Sequence, residues 1–380
     1  MRLGSLILLA AGAAQPAVDP DTARGFDHFY NLEFDQAIGV FRRLTKNRPG
    51  SPYAFNHLAQ SILYREMFRA GALESELVSG GNAFLRREKM NPSPADVREF
   101  DGSIGEAMRL SQALLAQNPE DKAGLYCLGI AHGLRGNYNF LVRKSWLDAL
   151  RDASASRTLH NRLSQVDPAM TDARLVQGIH EYVVGSLPWY YRTLGFVAGF
   201  RGDKENGIRT LKLVHEKGEA NRADAAVLLA TVYRREKRPG DAVPLLEGLI
   251  RQYPRNYLLG LELAQMYSDL GNSVKALDAV AAVERQNVAP AQKVLYYRAT
   301  IQFWYREYDA ALANFLQVTS KADTLDPNTG VTAWMRLGQT YDLKDDRAKA
   351  LEAYRKCMAY APGSYRAKEA QRYLRSRYRR

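Results

Sequence analysis

Apolar residues recur at helical spacing along most of the chain, and from Ala223 onward the pattern itself returns, first after 34 residues and then at slightly longer intervals. In the copy beginning at Val331, a large aromatic (Trp334), Leu337, a small residue (Gly338), Tyr341, Ala350, Tyr354 and Pro362 follow in order. The copy beginning at Ala223 carries Leu229, Ala230, Tyr233, Ala242, Leu246 and Pro254; the one at Tyr257 carries Leu263, Ala264, Tyr267, Ala276 and Val280. A weaker copy from about Gln292 keeps Tyr308, Ala311 and Phe315, but Gln302 stands where the others have Tyr. Small residues at one fixed position (Ala230, Ala264, Ala299, Gly338) and Ala at another (Ala242, Ala276, Ala311, Ala350) let two helices approach closely. Pro254 and Pro362 end the second helix, since Pro lacks an N–H and clashes with the preceding turn. Leu270-Gly271-Asn272 and Arg238-Pro239-Gly240-Asp241 read as the turns between helices. The pattern predicts an all-α solenoid of antiparallel helix pairs, each burying its apolar stripe against the next.

The spacing resembles the tetratricopeptide repeat. Four repeats are expected over 223–364, followed by a basic capping helix over 365–380 in which Ala367, Ala370 and Leu374 share the covered face. Residues 18–222 read as degenerate helical repeats with insertions near 137–152 and 185–202. There Phe34, Ala37, Phe41, Leu44 and Pro49 mark a second helix, with Asp35 as its expected N-cap, after a first helix through Phe26 to Tyr30. A longer pair is expected over 54–69 and 104–117. Next, Leu125, Leu128 and Gly129 open a repeat whose closing Asp167-Pro168 comes late.

The later insertion is rich in aromatics and glycine, and follows Gly178-Ile179-His180-Glu181. The order Gly, Ser-Leu-Pro, Leu-Gly-Phe, Gly-Asp-Lys, Gly and Leu, from Gly178 to Leu211, resembles a block of the inclusion-body-clearance family of tetratricopeptide proteins and its bacterial relatives. That resemblance implies a non-enzymatic helical-repeat architecture and an insertion shared within the family. It does not extend to a cellular role, because this chain opens on a signal-like segment. Three uses of the insertion stay open: core packing, a ligand or peptide pocket built on Trp189, Tyr190, Tyr191 and Phe196, and shallow contact with a membrane surface. Arg192, Pro188 and Ser186 interrupt the apolar run too often for a membrane-spanning helix.

Residues 1–14, with Arg2, a short apolar run and then small residues, read as a signal peptide without a lipid-attachment Cys. The expectation is a periplasmic or secreted protein of bacterial type. The net charge of +12 invites a nucleic-acid reading, but half of it lies in 366–380, where seven basic residues face Glu369 alone. No nucleic-acid partner is therefore expected; a basic tail would instead meet acidic headgroups or an acidic partner. Cys127 and Cys357, the two cysteines, occupy positions suited to small buried residues, so no disulfide is expected.

No chemistry emerges. The six histidines (His28, His57, His132, His160, His180, His215) form no metal spacing, and neither a nucleophile elbow nor a phosphate-binding glycine loop is present. No catalytic residue, metal ligand or cofactor is assigned. The repeat resemblance implies a concave groove lined by first-helix positions, which here are Arg234, Arg235, Leu261, Gln265, Tyr296, Thr300, Phe303, Trp304 and Gln339. Aromatics beside Arg and Gln suit a protein or peptide partner. Phe303 and Trp304 could equally pack between helices, because their repeat is off-register. Val227 and Thr231 stand where the carboxylate clamp of some family members needs Asn and Lys, so that class of partner is not expected.

Overall fold

The computed structural model describes residues 19–74, 89–186 and 202–380, and these form seventeen α-helices with no strand among them. The fold is an all-α solenoid of successive helix pairs. The described residues divide into two compact units, one comprising 19–66, 89–186 and 202–236, the other 67–74 and 237–380.

In the first unit, Asp19 caps helix Pro20–Tyr30 by accepting the N–H groups of Asp21 and Thr22. Phe26, Phe29, Phe34 and Phe41 then interlock that helix with Phe34–Asn47 through edge-on ring contacts. Asp35 does not cap the second helix. It lies in the first turn, behind an N-cap at Glu33 whose side chain makes no capping bond, and its carboxylate pairs with Arg65 at 2.8 Å. The surplus around 137–152 is helical. Helix Lys122–Tyr138 runs into a π-turn, Asn139–Arg143, ends at Lys144 in the left-handed region, and the chain re-enters helix Trp146–Val166. Asp152, buried, anchors this junction by accepting from His132 Nδ1 (2.8 Å), both ends of Arg135 (2.6 and 2.9 Å) and Asn139 Nδ2 (3.1 Å). Burial alone would raise the Asp152 carboxyl, but the bonds from His132 and Arg135 outweigh it and hold the group below its ordinary value.

His57 sits in an aromatic cage, 4.8 Å from the Phe26 ring and 5.2 Å from Phe41, with neither ring nitrogen hydrogen-bonded. Burial lowers it to about 3, and burial also lowers His160 to about 4 against the bond to the Ser156 carbonyl. Both rings are therefore neutral in the fold and gain a proton on unfolding below about 6.5. Stability held above pH 6.5 is thus lost as pH falls through the folded values. His57→Phe keeps the ring and removes an unsatisfied polar group, so it is expected to raise stability by about 1–2 kcal/mol at pH 7. It should also flatten the decline between pH 6 and 4. Urea titrations of parent and variant at pH 7 and pH 4.5 check both; an unchanged acid decline would remove His57 from the account.

In the second unit, helices Tyr257–Asp269, Ser273–Gln286, Ala291–Trp304, Tyr308–Ser320, Pro327–Leu343, Arg347–Tyr360 and Tyr365–Arg375 each pack on the next. The small positions do what their size suggests. A Cβ on Gly338 would lie 2.5 Å from the Tyr354 ring, so that ring packs directly on the helix backbone. Ala264, Ala276, Ala299, Ala311 and Ala350 are fully buried. The turns inside the pairs each hold one left-handed residue, at Gly271 (φ 80°), Arg306 (φ 65°) and Asp345 (φ 65°), and Lys237 (φ 57°), just before helix Pro239–Gln252, is left-handed too. Only Gly271 suits this conformation without cost. Arg306→Gly and Lys237→Gly are expected to stabilise by about 0.5–1 kcal/mol each, and Asp345→Gly by less, since Asp tolerates this region better. Thermal unfolding of the Arg306→Gly variant checks this. Pro239 belongs to the following helix, which it opens at its first position, and the turn falls one residue earlier than Arg238-Pro239-Gly240-Asp241 suggested.

Candidate interaction groove

The first helices of successive pairs touch one another directly: Tyr257–Asp269 meets Ala291–Trp304, which meets Pro327–Leu343, which meets Tyr365–Arg375. They present one face of the second unit, and the residues assigned to a groove divide across and beneath it. Leu261, Gln265, Tyr296, Thr300, Phe303 and Gln339 are buried. Tyr296 packs on Tyr297 and Phe315 at 5.6 and 6.5 Å, and so belongs to the core between helices. Trp304 differs: it is 41% exposed while the adjoining Phe303 is fully buried, their rings meeting edge-on at 5.4 Å. Arg234 is half-buried and Arg235 exposed at the end of helix Arg222–Arg235, in the first unit, where the Arg235 guanidinium lies 5.9 Å from the Tyr182 ring. Trp189, Tyr190, Tyr191 and Phe196 lie outside the described residues, as does the signal-like segment 1–14.

Residues that pattern alone did not mark complete the surface around Trp304. Arg336 stacks its guanidinium 4.7 Å from the Trp304 ring and 5.1 Å from Phe303, and donates to Gln339 Oε1 at 2.8 Å. Asp342, its side chain fully buried, accepts from the Tyr354 hydroxyl (2.9 Å) and from Arg347 (2.9 and 3.0 Å). A carboxylate one turn beyond a buried Gln reads in sequence as an ordinary solvated acid; only packing reveals that Asp342 is not.

A second polar centre was equally hidden. Lys293, 5% exposed at its side chain, donates to Glu74 Oε1 (2.5 Å), Asp326 Oδ2 (2.6 Å) and Thr329 Oγ1 (2.5 Å). The Tyr297 hydroxyl donates to the other Glu74 oxygen at 2.6 Å. This ties segment 67–74 into the repeats 219 residues later. Gly71, in the left-handed region at φ 65°, permits the close approach, since a Cβ there would collide with the Asp326 carboxylate. Burial works to lower the Lys293 ammonium, but the two carboxylates outweigh it and hold it well above its ordinary value. Burial pushes Glu74 up to about 7 against the pull of Lys293. One ammonium between two carboxylates leaves a surplus negative charge, and retaining a proton on Glu74 removes it. The one sequence signal was a Lys immediately before the apolar run Val294-Leu295-Tyr296-Tyr297.

Among the described residues no three His, Cys, Asp or Glu side chains come together as a metal site, and no helix is long and apolar enough to cross a membrane. Cys127 and Cys357 are buried free thiols.

Repeats of this spacing, stacked in this order, define the class. The chain is a tetratricopeptide-repeat protein, with family models described as tetratricopeptide repeat matching residues 227–291 and 331–364. Similar solved structures include a human IFIT1 dimer with m7Gppp-AAAA (10% identity, covering 96% of this chain and 81% of that one, TM-score 0.46). Yeast Tom70 is another (14% identity, 94% and 88%, TM-score 0.41), as is PilF of Pseudomonas aeruginosa (15% identity, 67% and 98%, TM-score 0.40). No curated protein matches the sequence significantly.

Proposed function

We propose that this chain is a non-enzymatic scaffold that binds a protein or peptide partner across the first-helix face of its second unit, at Trp304 and Arg336. The observation that carries the reading is the half-exposed Trp304, held edge-on by the buried Phe303 and stacked by Arg336. An immobilised indole flanked by a guanidinium loses little rotamer freedom when covered, which is the chemistry of an interface anchor. The signal-like residues 1–14 support export to a bacterial envelope compartment, and N-terminal sequencing of the native protein would then begin near Gln15.

The reading is tested by affinity capture from an extract of the source cells, quantified against Trp304→Ala. Trp304→Ala is expected to keep the parent's circular dichroism spectrum, since the side chain is exposed, and the parent is expected to enrich a discrete protein at least tenfold over the variant. Equal capture by both, or nothing above bare resin, would sink the assignment.

A further inference from the structure

Beyond helix Tyr365–Arg375 the backbone turns extended at Ser376, and residues 376–380 run back across the two preceding first helices. The contacts are of the kind made by a bound peptide. The main-chain N–H of Tyr378 donates to the buried Asp342 carboxylate at 2.9 Å. Arg380 donates to the main-chain carbonyls of Phe303 (2.9 Å) and Trp304 (2.7 Å), at the electronegative end of helix Ala291–Trp304. In an extended chain, positions two apart share a face. Accordingly the Tyr378 ring lies 6.2 Å from Phe303 while the Arg380 guanidinium lies 4.9 Å from the Trp304 ring, which Arg336 also approaches, at 4.7 Å. Arg377 pairs with Asp345 at 2.6 Å and brings its Nε within 3.7 Å of the same Asp342 carboxylate.

We propose that segment 376–380 is a ligand of the chain's own groove, and that the partner displacing it is an extended peptide carrying an aromatic residue and an arginine two positions apart. The proposal rests on the scaffold reading above and specifies its ligand. Three features separate this arrangement from a simple end-cap. The segment bridges two helix pairs, Arg380 reaching back 77 residues to Phe303. A fully buried carboxylate, already bonded to Arg347 and Tyr354, is spent on the segment's main chain, so the groove reads backbone as well as side chain. Finally, Arg336 and Arg380 bring like charges to the same indole, a contact that salt and competitors can exchange.

A tethered ligand faces its site at an effective concentration of about millimolar. A competitor therefore meets a mostly closed groove, and its apparent affinity falls by the fraction open. The test uses the full chain, Tyr378→Ala/Arg380→Ala in the full chain, and a fluorescein-labelled Ser-Arg-Tyr-Arg-Arg peptide. Anisotropy should show the double variant binding the peptide about 10–100-fold more tightly than the parent. Trp304→Ala in the double-variant background should abolish binding, and a peptide with Ala at its Tyr and final Arg should not bind. Sedimentation velocity distinguishes a groove filled by the tail of a second copy, which would appear as a concentration-dependent dimer in the parent and would overturn the cis arrangement. A folded double variant that binds no better than the parent would overturn the proposal, as would a double variant that fails to fold, since the segment would then be a structural clasp. The scaffold reading stands or falls separately: partner capture lost in Trp304→Ala survives a failed peptide assay, and the double variant should raise that capture if both hold.

Discussion

Replacing Lys293 with Met is expected to cost about 3–5 kcal/mol, the largest single loss foreseen for the second unit. The Met fills the same volume, but it leaves the Glu74 and Asp326 carboxylates buried against each other with their shared ammonium gone. The loss would appear as a lowered urea midpoint followed by tryptophan fluorescence, since Trp304 and Trp334 both lie in this unit. Glu74→Gln is the informative companion. The folded chain keeps a proton on Glu74 up to about pH 7, whereas the unfolded chain releases it near the ordinary value of 4.5. The stability from this group is therefore complete below about pH 4.5 and declines as pH rises through 7. Gln carries no titration, so Glu74→Gln should level the parent's decline between pH 5 and 8 and cost little at pH 8. A Lys293→Met variant as stable as the parent would mean that segment 67–74 is held by something other than this cluster.

Asp342→Ala is expected to be nearly as costly, at about 2–4 kcal/mol. One carboxylate with no exposed surface serves Arg347, the Tyr354 hydroxyl and the Tyr378 amide, so three donors lose their acceptor at once. The loss should also be local in a measurable order. Segment 376–380 loses its main-chain anchor, so hydrogen exchange at Tyr378 and tryptic cleavage after Arg377 should accelerate before global unfolding does. If exchange at Tyr378 were already fast in the parent, the segment would not be seated in the groove at all.

Both effects turn on residues whose importance the amino-acid pattern hides, and the reason is physical. The repeat positions were legible because helix packing restricts them: Tyr354 sits on Gly338, and Ala264, Ala311 and Ala350 are fully buried. Apolar periodicity also placed the first-half helices, because Leu125, Leu211 and Val214 must be covered. It could not place the π-turn at Asn139–Arg143, which changes the hydrogen-bond register without changing composition. Nor could it separate Asp342 and Lys293 from the many charges in solvent, since their partners come from distant segments. The groove assignment suffered in the same way. Positions taken from the repeat pattern placed Leu261 and Tyr296 on the surface, whereas they pack beneath it; of Phe303 and Trp304, left open between groove and core, Phe303 is buried and Trp304 reaches solvent. The segment that lies on that surface comes from the basic tail, which sequence reads as a solvated cap. Helix Tyr365–Arg375 does cap, burying Ala367 and Ala370, but the five residues after it do something else.

The most direct test of the central claim is site-specific photocrosslinking in source-cell extract, with benzoylphenylalanine at position 304 in one protein and at position 316 in another. Both side chains are exposed, but Leu316 lies on a second helix, Tyr308–Ser320, away from the first-helix face. A scaffold that binds through this groove predicts a discrete protein adduct from position 304, competed away by excess Ser-Arg-Tyr-Arg-Arg peptide, and none from position 316. Equal adducts from both positions, or an adduct from 316 alone, would contradict it.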